Sequence, residues 1–70
     1  MNMVERFNDA VINNMDEAGG SKEKSQLRVL FSMLSDVQEQ IDMKMNRDAI
    51  QSINDIKFLM YNIEKEKEVI

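Results

Sequence analysis

The chain contains no proline, and its only two glycines stand side by side at Gly19-Gly20. Nothing else in it stops a helix outright, so the segments on either side read as helices and the Gly pair as a break. Gly adopts the left-handed conformation that closes helices at low cost, and two in succession let the chain reverse. Apolar residues recur at steps of three and four and never alternate strictly, which favours helix over strand throughout. The expected fold is all-α.

The strongest stripe lies after the break. Leu27, Leu30, Leu34, Val37 and Ile41 share one side of a helix, with Phe31 and Met33 flanking it. Such a face is not stable in water alone and needs other helices against it. These five residues are therefore the expected centre of the core, with one helix before them and one after.

The first helix is expected over residues 3 to 18. Val4, Phe7, Val11, Met15 and Ala18 share its apolar face, with Met3 and Ala10 beside it; Ile12 falls outside, at a core edge or a subunit contact. Asn2 suits the N-cap and Glu5 the capping-box position. Glu5, Asp9, Asp16 and Glu17 face Arg6 alone, so this segment carries about three net negative charges. Asp9 and Asp16 project from nearly one side, away from Val4, Val11 and Ala18. That side reads either as a solvated face or as a docking surface for a basic partner.

The second helix begins at Ser21 or Ser25, with Ser21 the better cap, and runs at least to Ile41. Beyond it two readings compete. The stripe can be carried on through Met45, Ala49, Ile53, Ile56, Met60 and Ile63. That would give one continuous helix about 65–70 Å long. The favoured reading breaks the helix near Met45 to Asp48, with Asn46 or Asp48 capping a third helix. Heptad spacing extended from Leu27 lands on Lys44, Asp48, Gln51 and Asp55, so a long coiled coil is not encoded. The third helix is expected from Ala49 to about Lys67. Ala49, Ile53, Ile56, Met60 and Ile63 face one way, Ile50 and Leu59 lie alongside, and Phe58 and Tyr61 flank. The alternating charges from Glu64 to Glu68, then Val69 and Ile70, read as a solvated, fraying end. The expectation is a single domain over residues 1–70: a helical hairpin with a shorter N-terminal helix.

A chain of 70 residues buries only about 60% of its unfolded surface on folding. It has no Cys and no His, so neither a disulfide nor a thiolate or imidazole metal site can staple it. This apolar surplus without a staple points to a homodimer, with Phe31, Ile50, Phe58 and Leu59 as the expected contacts. The net charge of −4 repels phosphate. Lys22, Lys24 and Arg28 form the one basic cluster, and direct nucleic-acid binding through them is the alternative function. No apolar run is long enough for a membrane span and no signal peptide is evident, so the default location is the cytoplasm.

Catalysis is not expected. No Ser-His or Glu-x-x-His arrangement is possible without His, and the Gly pair lacks the spacing of a phosphate loop. Asp36 with Glu39, and Asp16 with Glu17, match no calcium loop. No cofactor or metal ion is called for. Seven Met residues are many for this length, and Met43 with Met45 suit an adaptable binding surface. The partner surface is therefore expected on the acidic first helix together with the Met43–Met45 turn. The function so read is a small non-enzymatic protein-interaction module, regulatory or adaptor/chaperone-like. A structural subunit of a larger assembly is a further alternative.

The order Ala10-Val11, Met15, the Gly turn, Lys24, the Leu residues spaced through Leu34, and Arg47 resembles small enterobacterial regulators of biofilm formation and acid resistance. The resemblance covers roughly residues 7 to 62. It implies a dimeric helical connector protein and fixes no site residue. The asparagine-rich segment that follows the turn in that family is missing here.

Overall fold

The computed structural model describes residues 2–68. They form α1 (Met3–Ala18), α2 (Lys22–Asp42) and α3 (Asn46–Glu68), with no strand among them. α1 starts as its sequence suggests. Asn2 Oδ1 accepts the Glu5 backbone N–H at 2.9 Å, and the Asn2 side-chain amide donates to the Glu5 carboxylate at 3.3 Å. One unpaired backbone N–H of the first turn is thereby satisfied, and the Glu5 carboxylate holds the capping side chain in place. The helix closes where the Gly19 N–H donates to the Met15 carbonyl at 2.9 Å. Ser21, not Ser25, caps α2, accepting from the Lys24 N–H at 3.2 Å. Ser25 sits one turn inside, fully buried, and its hydroxyl has no partner.

The break between α2 and α3 is real, so the single long helix is excluded. It lies a little earlier than expected, over Met43–Met45 rather than Met45–Asp48, and α3 starts at Asn46. The Lys44 N–H donates to the Ile41 carbonyl at 3.0 Å and the Met45 N–H to the Gln40 carbonyl at 2.8 Å. That bond pair is the Schellman closure, which is normally built on a left-handed Gly. Here Lys44 takes that conformation, at φ 61. Left-handed backbone costs a residue with a Cβ about 1–2 kcal/mol. Lys44→Gly should accordingly stabilise the domain by about 0.5–1 kcal/mol after the entropy lost by the more flexible unfolded chain. The midpoint of urea unfolding reads this directly; a lower midpoint in the variant would contradict it.

α2 is the central helix. α1 and α3 each pack against it and touch one another little. The core joins Phe7 and Val11 of α1, Leu30 and Val37 of α2, and Ala49, Ile56 and Leu59 of α3. Met3, Val4, Met15, Val29, Met33 and Ile63 pack around it, half-buried.

Only part of the expected core stripe is inside. Leu30 and Val37 are buried, but Leu27, Leu34 and Ile41 are 67%, 52% and 52% exposed. The cause is the width of the apolar arc. From Val29 through Met33, Val37, Leu30, Ile41, Leu34 and Leu27 to Phe31 it covers about 200° of α2, twice the usual amphipathic stripe. α1 and α3 cover the Val29–Leu30 part and leave the rest open. α3 is likewise rotated from its expected orientation. Ala49 and Ile56 point inward and Ile63 partly so, but Ile53 and Met60 are exposed and Leu59 takes the innermost place. On α1, Ala18 and Ile12 are exposed. α3 runs through Glu68, close to the expected end near Lys67. The expected fraying at Val69 and Ile70 lies outside the described residues. No helix among the described residues is long and apolar enough to cross a membrane.

Candidate interaction surface

α2 and α3 form an antiparallel hairpin whose register is marked at both ends. The Ser52 hydroxyl donates to Gln40 Oε1 at 3.0 Å near the turn. Lys22 Nζ lies 3.6 Å from a Glu66 carboxylate oxygen at the open end. Val29 and Met33 on one side of α2 line a cleft with Ala10, Asn13 and Asn14 of α1. On the side turned from α1, α2 presents Leu27, Phe31, Leu34 and Ile41, and α3 presents Ile53 and Met60. All six are between 40% and 72% exposed.

The two helices meet on this side in a groove of about 340 Å³. Leu27, Leu30, Met60 and Ile63 form its apolar lining, the buried Gln26 lies in its wall, and Glu23, Glu64 and Lys67 form its rim. A large apolar side chain carries roughly 150–200 Å² of surface. Six of them at about half exposure therefore present on the order of 500 Å², the size of a patch that marks a binding surface on a small protein. The charge lies elsewhere. Of the net −4, three units belong to α1, where Glu5, Asp9, Asp16 and Glu17 oppose Arg6.

The residues expected at a contact do not form one surface. Phe31 is 72% exposed and belongs to the α2/α3 face. Leu59 does not: at 1% exposure it is spent in the chain's own core and has no side-chain surface for a second molecule. Phe58 is exposed but points about 150° around α3 from Ile53 and Met60. Ile50 is 61% exposed and lies at one edge of the Ile53–Met60 side. Met43 and Met45 are exposed at the hairpin turn. Asp9 and Asp16 are exposed on α1. Asp16, however, is next to the Gly19-Gly20 end of α2, and the Met43–Met45 turn is at the other end, about 31 Å away. The expected pairing of Asp16 with that turn is therefore not made. The spacing of Leu27, Leu34, Ile41, Ile53 and Met60 points to the core. On α2 the excess width of the arc is the signal that places Leu27, Leu34 and Ile41 outside; no such signal marks Ile53 and Met60, which the rotation of α3 exposes.

The basic cluster is also dispersed in its contacts. Arg28 Nη1 donates to the Gly19 carbonyl at 3.1 Å and to Asn14 Oδ1 at 3.3 Å, tying the first turn of the chain to α2. Lys22 faces Glu66. Among the described residues only Lys24 of the three has no such partner. Tyr61 lies at an edge, 55% exposed, with Lys65 Nζ 5.2 Å from its ring centre. Among the described residues no three acidic side chains gather closely enough to hold a metal ion.

No protein-family model, curated protein or solved structure matches this chain, so the likeness to the biofilm regulators adds nothing to the geometry of the site.

Proposed function

We propose that the chain is a small non-enzymatic protein-interaction module, regulatory or adaptor-like, and that it acts through the apolar face of the α2/α3 hairpin. A second copy of itself and another protein are its partners in this reading. The observation that carries it is the open apolar arc. A 70-residue chain keeps six large apolar side chains of one side in water, while among the described residues seven apolar ones are buried. Burying such an arc is worth about 25 cal/mol per Å², which gives a partner a strong gain on docking. The acidic α1 lies apart from this face and supplies steering rather than affinity.

The test compares capture by immobilised protein at moderate salt. Leu34→Asp places a charge within the face, and Asp9→Lys with Asp16→Lys reverses the charge on α1. All are first checked for native helicity by circular dichroism. A protein retained by the parent should be lost from Leu34→Asp and kept, with slower association, by the α1 variant. The reverse pattern would move the binding surface to α1. Tight, saturable DNA binding that falls steeply with salt would instead favour the alternative carried by Lys22, Lys24 and Arg28.

A further inference from the structure

We propose that the α2/α3 face takes a second copy of this chain in a twofold-symmetric pair, with Phe31 of each copy entering the Leu27–Met60 groove of the other. This rests on the reading of that face as an interaction surface and specifies what covers it. Three features of the molecule lead to it.

The first is a knob beside a hole. Phe31 is 72% exposed, the highest value among the large apolar side chains described. It stands one helical turn from Leu27, which lines the groove, yet Phe31 is not among the lining residues. The groove, at about 340 Å³, is larger than a phenyl ring and offers Leu27, Leu30, Met60 and Ile63 as walls. A ring that sits next to its own groove without filling it lies next to the partner's after a rotation of half a turn. Such an isologous contact closes on itself and makes each knob-and-groove contact twice. Buried aromatic anchors in pockets are the usual centres of affinity.

The second feature is area. The face presents on the order of 500 Å² of apolar surface. A standard interface hides about 800 Å² on each partner, somewhat more than half of it apolar. The face therefore supplies the apolar share that a stable pair requires, without help from α1.

The third is charge. Two acidic chains repel unless their charge is kept from the contact. Here three of the four net negative charges are on α1, while the groove rim has both signs, in Glu23, Glu64 and Lys67. With two carboxylates and one ammonium, the rim opposes the approach of two faces only weakly compared with α1.

Sedimentation equilibrium over roughly 1–100 µM tests the pair on three proteins of verified helicity: the parent, Phe31→Asp, and Phe58→Asp as an exposed aromatic on another side of α3. The parent mass should rise from 8.2 kDa toward twice that value. Phe31→Asp should weaken association by at least about 30-fold, and Phe58→Asp should leave it unchanged. A benzophenone side chain placed at position 31, in a mixture of unlabelled and nitrogen-15 chains, should yield mixed-isotope crosslinks to Met60 or to Leu27 and Leu30. A mass of 8.2 kDa at every concentration overturns the proposal, and so does a dimer indifferent to Phe31→Asp. Either result, with Leu34→Asp still abolishing capture of another protein, leaves the face an interaction surface for that protein alone. Loss of both effects removes the face from function altogether.

Discussion

Leu59→Ala should remove about 2–5 kcal/mol of folding free energy. Leu59 is 1% exposed and sits where α3 meets the buried side chains of the other two helices. Truncation leaves a void that the neighbouring helices fill only in part, so the lost transfer energy and the cavity act together. A single core in a domain this small supplies only about 3–5 kcal/mol in total. The variant should thus be largely unfolded at room temperature, with its helical circular dichroism lost. Leu34→Ala is the informative comparison. Its spacing suggests a core position, but at 52% exposure the substitution should cost less than about 1 kcal/mol in dilute solution. Equal losses for the two variants would show that Leu34 is inside the monomer and would overturn the orientation of α2.

Gly19→Ala should cost about 1–3 kcal/mol through the backbone alone. Gly19 has φ 71 and ψ −176, a region that residues with a Cβ essentially do not occupy. Space is not the obstacle, since a Cβ added there would meet nothing within 4 Å. The carbonyl of this residue also accepts from Arg28 at 3.1 Å, so a change in its backbone displaces a contact that ties the turn to α2. Thermal unfolding measures the loss. A D-alanine at the same position, introduced by chemical synthesis, tolerates positive φ and should restore most of it. If the two alanines destabilise equally, the cause is not conformational strain.

The elements were legible in the sequence because their signals are local. Asn2, Glu5 and Ser21 announce helix starts through side-chain hydrogen bonds within a single turn, and Gly19 announces a stop through its own φ. The second stop was harder to locate, because Lys44 does the work of a Gly without being one. The interior was legible only in part. Periodicity gives the direction of an apolar arc, and on α2 that arc is wider than two neighbours can cover. Which edge stays wet depends on the angle at which α1 and α3 settle, and no residue spacing records that angle. Leu59 shows the same limit from the other side. Its spacing puts it alongside the α3 stripe with Ile50, yet a modest rotation of the helix makes it the innermost residue. The candidate surface follows from these two misplacements. Its residues were recognised as apolar and needing cover, and what the fold adds is that the chain does not cover them itself.

The central claim is that the α2/α3 face, and not the acidic helix, is where proteins meet this chain. The most direct measurement places a photo-crosslinking side chain at single positions around α2 in living cells. Phe31 and Leu34 sample the face, while Asp36 and Glu39 sample exposed positions outside it. Crosslinks to protein, whether a second copy or another chain, should form from Phe31 and Leu34 and be absent from Asp36 and Glu39. Crosslinks from Asp36 and Glu39, with none from Phe31 or Leu34, would contradict the claim.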